Sequence, residues 1–344
     1  MVRSPSVYND LAIRITTIVP TYARPASLER CLDALSRQQH PLDELLVVVR
    51  PTDEASLRVL DAHAHPLRIV TVESRGVVAA LNAGIDASSG DIVALTDDDA
   101  EPHPDWLARL AATYARDPRI GAVGGRDLVY VDGRLLSGAE SSVGTMASWG
   151  RITGNHHVGF GPARDVAVLK GANLSMRGEL IRTIRIDERL RGSGTEHHWE
   201  LGLCLAARRR RYRVVYDPAI AVDHRPQPRI DDSREHGWRE TRDAAHNSTL
   251  AVLESLPAGR RVLFCVWAAT IGTRTSPGVA QVLRSIARGR GAPWRLWAGA
   301  QAGLVLGVAT YARSRSRQLS TTLNPRARTE GSPPPPANDG HRYP

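Results

Sequence analysis

Short apolar runs alternate with amphipathic segments through the first third of the chain, and this alternation constrains the fold more than any other feature. The apolar runs are RITTIVPTY, ELLVVVR, LRIVTV and DIVALT, and the segments between them place apolar residues at helical spacing. Strands that alternate with helices in this way are typical of a parallel sheet covered by helices. The sequence therefore predicts an α/β fold built on a parallel, doubly wound sheet.

Three consecutive aspartates, Asp97, Asp98 and Asp99, follow the fourth predicted strand in the run DIVALTDDDAEPHPDWL. Ligands of open α/β sheets bind at the carboxyl ends of the strands. Carboxylates at positions i and i+2 can reach one Mg²⁺ or Mn²⁺, because these ions prefer oxygen ligands and share them with phosphates. A solvated acidic turn is the alternative. The strand-end position favours a metal site formed by Asp97 and Asp99, where the cation and a bound diphosphate would balance the repulsion.

His224 ends AIAVDH, a second predicted strand that is expected to approach the same crevice. It is a candidate third metal ligand or a diphosphate contact, since imidazole is tolerated by Mn²⁺. A loop histidine whose hydrogen bonds are satisfied internally is the alternative.

The composition narrows the function classes without selecting one. The chain has 344 residues and a net charge of +9, which fits nucleic acid, an anionic membrane surface or a phosphorylated substrate as a partner. Its three cysteines, Cys31, Cys204 and Cys265, are widely spaced, so neither a disulfide framework nor a zinc cluster is expected. The stretch MVRSPSVYNDLAIRITTIVP lacks the apolar core of a signal peptide, so we expect no export and a cytoplasmic location.

Four motifs follow one another between about residues 16 and 223. They are TTIVPTYARPASLERCLDAL, SRGVVAALNAGIDASSGDIVALTDDDAEPHPDWL, KGANLSMRGEL and HWELGLCLAARRRRYRVVYDPAIAVDH. In order and spacing this stretch resembles family 2 glycosyltransferases, whose GT-A fold is a Rossmann-like, mostly parallel, doubly wound sheet. The resemblance implies a metal-dependent, inverting transfer of a sugar from a nucleotide diphosphate donor to an acceptor hydroxyl, in cell-surface polysaccharide or glycolipid biosynthesis.

The resemblance assigns contacts with the donor to residues that follow predicted strands or belong to the third helix. They are Pro20, Thr21, Tyr22, Arg24, Arg50, Arg75, Asn82 and Asp98. The structural alternatives are an ordinary strand-to-helix turn for the first four and a plain amphipathic helix around Asn82. Arg50 departs from the family pattern, which has an aspartate that touches the base or ribose at this strand end. The reversed charge indicates a phosphate contact or a position on the strand surface.

Inverting transfer needs a base that takes the proton from the acceptor hydroxyl. The family places an Asp or Glu at the start of a helix that precedes a strand. Counting back from YRVVYDP, this position is Glu200, with Glu196 as the reserve. The alternative is an acid that merely complements the helix dipole. The resemblance assigns the acceptor contacts to Gly171, Ala172, Asn173 and Trp199.

Two rival functions use the same general features. A nucleotidyltransferase shares the parallel sheet and the metal aspartates, but VPTYARPAS lacks the glycines of a triphosphate-binding loop. A nucleic-acid-binding protein is suggested by the net charge and by RRRR at 208–211, yet no basic and aromatic interleaving accompanies that run. We therefore expect a nucleotide-sugar donor and a glycan or lipid-linked acceptor as partners, and no nucleic acid.

The chain is predicted to divide at about residue 225. Residues 1–225 form the catalytic domain, with about 12–127 as the nucleotide-sugar-binding half and about 128–225 as the acceptor-binding half. A helical C-terminal extension is predicted over 226–317, and the Pro-rich tail 318–344 is predicted to be disordered.

Two apolar segments of the extension, 262–272 and 297–312, are bordered by arginines. Both are shorter than the roughly 20 residues that a spanning helix needs. Apolar helices with flanking arginines can lie in the interface of an anionic membrane. The sequence thus predicts peripheral contact with the inner face of the cell membrane, and packing on the catalytic domain is the alternative.

Overall fold

Parallel strands and the helices between them form the first part of the chain. The computed structural model describes residues 13–192, 194–227, 237–289 and 293–323, so the first twelve residues of the stretch considered for export lie outside it. The elements are β1 (Ile15–Pro20), α1 (Pro25–Ser36), β2 (Glu44–Val49), α2 (Glu54–Ala62), β3 (Arg68–Thr71), α3 (Val77–Ala87) and β4 (Ile92–Leu95). β1 lies between β2 and β4, β3 pairs with β2, and these pairings are parallel. The predicted parallel arrangement is confirmed.

The second part of the sheet is mixed. Its elements are β5 (Ala100–Pro102), α4 (Trp106–Arg116), β6 (Ile120–Val131), β7 (Arg134–Leu135), β8 (Thr145–Met146), β9 (Ile152–Thr153), β10 (Arg164–Asp165), β11 (Leu174–Arg177), α5 (Gly178–Ile184), α6 (Trp199–Arg209) and β12 (Arg213–His224). β11 runs antiparallel to β4 and β6, whereas β12 runs parallel to β6. Among the described residues the order across the main sheet is β10-β12-β6-β11-β4-β1-β2-β3.

Side chains of β1 alternate between two apolar layers, because successive residues of a strand point to opposite faces. Ile15 and Val19 pack in the layer that contains Leu28 of α1, whereas Ile18 packs in the layer that contains Leu81 of α3. Each of these buried aliphatic side chains contributes about 1.5–3 kcal/mol through removal from water. The two layers thereby fix the end of β1 from which the loop at the candidate site begins.

β12 is one strand where the sequence predicts two. The sequence predicts a strand over 212–216 and a separate strand AIAVDH, but the structure joins them. The pairing with β6 shifts register between Asp217 and Ala221. Pro218 lies within this shift, and a residue without an N–H donor is tolerated in a sheet at such irregularities. β12 therefore continues past the proline and delivers His224 to the edge of the sheet.

Helices make up the described part of the C-terminal extension, as predicted. They are α7 (Trp238–Ser255), α8 (Ala258–Thr270), α9 (Val279–Ala287) and α10 (Trp294–Leu323). α10 lies against α7 through Gly299, Gly303 and Gly307, and a Cβ atom on Gly303 would be 2.6 Å from the Cβ of Ala245. These three glycines, called the glycine stripe below, allow the two helix backbones to approach closely.

The length of α10 changes one predicted boundary. The helix reaches Leu323, so the boundary predicted at 317 falls inside it, and the rest of the predicted tail lies outside the described residues. No described helix combines the length and the apolar character that crossing a bilayer requires.

Candidate active site

The three aspartates in the loop after β4 differ in their surroundings. Asp97 is partly exposed, Asp99 is buried, and Asp98 is fully buried. Asp98 accepts a 2.7 Å hydrogen bond from the Thr21 hydroxyl and forms an ion pair with Arg24. Burial raises the pKa of the Asp98 carboxyl to about 7, against the opposing charge of Arg24. The prediction that Asp98 contacts the donor does not fit this arrangement, because its side chain anchors the loop after β1.

Two basic side chains offset the repulsion within the aspartate run. Arg24, which pairs with Asp98, also donates to Asp99 Oδ2 at 2.7 Å. His224 Nε2, at the end of β12, lies 3.2 Å from Asp99 Oδ1. Arg24 and His224 therefore balance much of the negative charge that a bound cation and diphosphate were expected to balance.

Asp97, Asp99 and His224 are placed so that they can hold one metal ion. One ligand atom from each lies within 4.8 Å of the other two. His224 Nδ1 is hydrogen-bonded to Asp127 Oδ1 at 2.9 Å, which leaves Nε2 facing Asp99. A carboxylate behind the imidazole is the usual way in which a metal-ligating histidine is oriented. Two carboxylates and an oriented imidazole fit a divalent cation, and Asp127 is a participant that the sequence analysis missed.

Protonation of this cluster depends on its internal pairs. Burial opposes ionisation of Asp99, but the hydrogen bond with His224 and the charge of Arg24 hold the pKa of the carboxyl below its usual range. Burial likewise opposes the His224 imidazolium, yet the hydrogen bonds with Asp127 and Asp99 raise its pKa. A cation that takes His224 Nε2 must displace a proton, since a histidine ligand is neutral.

A pocket opens beside this cluster, at the carboxyl ends of β1, β2 and β3. Its lining includes five residues predicted to contact a donor, namely Pro20, Thr21, Tyr22, Arg24 and Arg50. Ser74 and Gly76 at the start of α3, and Gly194 in the segment before α6, also line it. The Arg50 guanidinium carbon lies 4.1 Å from the centre of the Tyr22 ring, within cation–π range. Arg50, which stands where the family pattern has an aspartate, thus places a positive charge at the wall of the pocket.

Of the two donor contacts predicted around α3, one is exposed and one is committed to the fold. Arg75 is exposed between Ser74 and Gly76, beside the pocket. Asn82 is buried, and its amide donates to Ile186 O at 2.9 Å while its oxygen accepts from Ile186 N at 2.9 Å. The predicted donor contact of Asn82 does not fit the structure, because this side chain ties α3 to the segment after α5.

Glu200, the predicted base, lies in the first turn of α6 and is partly exposed. Lys170 is exposed at the surface of the crevice. The surrounding protein desolvates its ammonium and lowers its pKa, but the charges of Glu200, Asp127, Asp97 and Asp99 outweigh this effect and raise it. Lys170 therefore lies close enough to be influenced by the charges of both Glu200 and the cation cluster. Lys170 begins the motif KGANLSMR, and its sequence position alone gives no signal of these charged neighbours.

His198, the residue before α6, was also missed. It has φ 68° and ψ 20°, a left-handed conformation that is uncommon outside glycine and concentrated at functional sites. Desolvation by the surrounding protein lowers the pKa of its imidazole, against the charge of Glu200. The lowered pKa favours the neutral imidazole, and the histidine stands two residues before the predicted base. His197 and His198 are adjacent in sequence and have no cysteines nearby. Such a pair gives no sequence signal that His198 stands beside the base.

Glu196, the reserve base, is bound to another helix. Its side chain is buried, and Oε2 accepts from the backbone N–H of Val78 at 3.2 Å. Gly76 has φ 108°, and a Cβ atom there would lie 2.8 Å from Glu196 Oε2. The carboxylate therefore caps the N-terminus of α3, where the helix dipole favours negative charge. This arrangement disfavours Glu196 as the base.

Asn173 has its amide group fully engaged inside the protein. Its oxygen accepts from Trp106 Nε1 at 2.9 Å, and its nitrogen donates to Ile220 O at 2.9 Å and Arg126 O at 3.1 Å. Both amide hydrogens are used, so the predicted hydrogen bond to an acceptor hydroxyl does not fit the structure. Asn173 instead joins β11, α4 and β12.

The other predicted acceptor residues lie under the crevice. Gly171 and Ala172 are buried, and Trp199 is nearly so. A Cβ atom on Gly171 would be 2.6 Å from Trp199 Cζ2, so only glycine lets the indole ring pack here. The small residues thus make room for Trp199 and fix the start of α6.

Part of the chain resembles known glycosyltransferases in sequence. The family model described as Glycosyl transferase family 2 matches residues 16–166. The chain is 28% identical over 192 residues to glycosyltransferase AglE of Haloferax volcanii, covering 54% of this chain and 59% of that protein. It is 32% identical over 118 residues to the glucosyl-dolichyl phosphate glucuronosyltransferase of the same organism, covering 33% of this chain and 38% of that protein. The chain spans less than two thirds of the length of either relative.

Among solved structures, the mannosyltransferase PcManGT from Pyrobaculum calidifontis, in complex with GDP-Man and Mn²⁺, superposes with a TM-score of 0.53. The sequence identity is 21%, and the alignment covers 87% of each chain. At this identity the likeness concerns the fold. The matched residues 16–166 contain the pocket loops and the three aspartates. The chain therefore has the GT-A fold, and its residues 16–166 resemble glycosyl transferase family 2.

Proposed function

We propose that this chain transfers a sugar from a nucleotide diphosphate donor to an acceptor hydroxyl, with inversion at the anomeric carbon. The observation that carries the proposal is one crevice in which a pocket at the strand ends adjoins Asp97, Asp99 and His224. Lys170 connects this cluster electrostatically to Glu200. Nucleotide binding, cation binding and proton abstraction thus have residues within reach of one another. The names of the relatives support the same reaction class.

Positively charged residues around the crevice can bind the diphosphate of the donor. Arg50 lies at the pocket wall, and Arg75 is exposed beside the pocket. A guanidinium matches phosphate oxygens, and Lys170 adds a cation near the metal cluster. A divalent cation held by Asp97, Asp99 and His224 would stabilise charge on the leaving diphosphate. We propose Mn²⁺ rather than Mg²⁺, because an imidazole suits Mg²⁺ poorly.

Glu200 is proposed to take the proton from the acceptor hydroxyl as that oxygen attacks the anomeric carbon. It is partly exposed at the start of α6, and Trp199 beside it is fixed by packing on Gly171. A base on a helix that is held in this way keeps its position during the reaction.

The donor can be found by thermal unfolding with a panel of nucleotide sugars and Mn²⁺. One donor class should raise Tm, because a ligand at about 100 times its Kd stabilises the folded state by ~2.7 kcal/mol. The shift should disappear with excess chelator, and the reaction should release a nucleoside diphosphate. Release of pyrophosphate would point to the rival nucleotidyl transfer, and no stabilisation by any nucleotide would contradict the proposal.

The run of arginines at 208–211 gives little support to the nucleic-acid alternative. Arg208 donates to Val166 O at 3.1 Å, and Arg209 lies 3.9 Å from Glu254. At least these two side chains face protein partners, so the run is not a continuous free basic surface.

We also propose that the extension rests on an anionic membrane that carries a lipid-linked acceptor. α8 and α9 expose large apolar side chains, here called the outer apolar face: Val262, Leu263, Val266, Val279, Leu283 and Ile286. Exposed arginines accompany them, namely Arg260, Arg274, Arg284 and Arg288. Apolar residues next to cations complement an anionic bilayer, with about 1 kcal/mol per arginine near the surface. The second Haloferax relative is named for a dolichyl phosphate-linked sugar.

Flotation with anionic vesicles tests the membrane contact. The wild-type chain should float at low salt and dissociate at high salt, and the double variant Val262→Glu with Leu283→Glu should lose flotation. Leu135→Ser, at an exposed apolar position on β7 outside the extension, is the matched control and should float normally. Wild-type protein that stays unbound at low salt would rule the contact out.

A further inference from the structure

We propose that Asn247, on α7 of the extension, is a positioning residue that holds the segment before α6 and thereby the base at the start of that helix. The inference rests on the proposed function for its catalytic consequence. It links the C-terminal extension to the segment that precedes α6.

Asn247 is completely buried, and its side chain bonds to the segment from both ends of the amide. Its nitrogen donates to Arg191 O at 2.8 Å and to His197 O at 2.9 Å. Its oxygen accepts from Arg191 N at 2.8 Å. Both amide hydrogens and one oxygen lone pair therefore serve backbone groups of a segment outside the regular helices and strands. We call these three bonds the Asn247 clamp.

The clamped segment borders the donor pocket and leads into the helix that carries the proposed base. α5 ends at Ile184 and α6 begins at Trp199, so the described residues between these helices depend on partners elsewhere for their position. Gly194 of this segment lines the donor pocket, and Glu196 caps α3. His197 O, which accepts from the clamp, precedes the left-handed His198 by one residue. A displacement at His197 is therefore transmitted directly to the start of α6.

α7 is in turn held in place by contacts with α10. His246 Nδ1 contacts Asn247 Oδ1 at 2.9 Å, and its Nε2 contacts the Thr310 hydroxyl of α10 at 3.0 Å. The glycine stripe keeps α10 close to α7 along this stretch. His197 Nε2 adds a second contact between the segment and α7, at 3.1 Å from Glu240. Asn247 thus acts from a rigid support, which a positioning side chain requires.

Asn247→Asp separates the hydrogen bonds from the packing. The substitution keeps the shape and the acceptor for Arg191 N, but it removes both donors and places one carboxylate oxygen against the carbonyl groups of Arg191 and His197. We expect kcat to fall on the order of 10²-fold, the cost of a small misplacement of catalytic groups, while the donor Kd stays within about 2-fold of wild type. Asn247→Ala serves as a second variant. Ser248→Ala, which removes a hydroxyl bonded within α7 to Ala245 O, is the matched control and should keep wild-type kcat.

Hydrogen exchange gives a readout that needs no activity. In both Asn247 variants, amide exchange should accelerate at 191–192 and 194–198 and remain unchanged in β1, β2 and β4; Arg191 N itself loses its acceptor only in Asn247→Ala. An unchanged kcat in a folded variant, or faster exchange spread over the sheet with donor binding weakened in proportion, would overturn the clamp. Because exchange does not depend on sugar transfer, a failed transfer assay with localised exchange would count against the proposed function and not against the structural part of this inference.

Discussion

Replacing Asp99 by alanine is expected to abolish sugar transfer and Mn²⁺-dependent donor binding while the fold persists. Asp99 offers one of the three candidate ligand atoms, and the adjacent Asp98 cannot replace it because its carboxylate is buried against Thr21 and Arg24. Arg24 keeps its pairing with Asp98 in the variant, so the loop after β1 should remain in place. Transfer assays and calorimetric titration with Mn²⁺, together with circular dichroism, measure the three parts of this expectation.

The matched control is Asp33→Ala, the same substitution at an exposed position on α1. It should leave transfer and cation binding at wild-type levels. Wild-type transfer by the Asp99 variant, or by the wild-type protein in excess chelator, would remove the basis for a cation at this cluster.

Replacing Glu200 by glutamine is expected to lower kcat by roughly 10²–10⁴-fold, the usual contribution of general base catalysis. Glutamine keeps the shape and hydrogen-bonding capacity of the side chain but cannot accept the proton. Donor affinity should survive, because Glu200 is not among the residues that line the pocket proposed for the donor. Turnover under saturating donor, compared with donor Kd, measures the separation.

Three further variants identify the base if the expectation fails. Glu188→Gln, at an exposed acid, is the neutral control. Glu196→Gln retains an oxygen for the N–H of Val78 and should cost little. If Glu200→Gln keeps its kcat while Glu196→Gln or His198→Ala shows the large fall, the residue whose variant shows that fall is the base.

The cation cluster could be predicted because its geometry follows from local sequence. Asp97 and Asp99 come directly after an apolar strand, and His224 ends another, so the parallel-sheet rule brings them to the same edge. Strand propensity and period were enough for this step. The supporting Asp127 was not predictable, since it lies inside β6 and resembles any polar residue on a strand.

Asn82 and Asn173 show where the motif-based assignment and the hydrogen bonds of the fold point in different directions. Each resembles a ligand contact in sequence, yet each is buried and bonded to backbone groups distant along the chain. Asn82 meets Ile186, 104 residues away. A linear pattern identifies a polar side chain near the site but not whether its donors are already used, because the partners are brought together only by the tertiary fold. The same reason explains why Glu196 and Asn247 could not be recognised as structural supports.

The glycine stripe on α10 has an evolutionary consequence. Any side chain at Gly299, Gly303 or Gly307 would press on α7, the helix that carries Asn247. These three positions are far along the chain from the aspartates. A change there would nevertheless alter the position of α7, which supports the segment before α6. Substitutions at these three glycines are therefore expected to be tolerated less well than substitutions at exposed positions of α10 such as Val305.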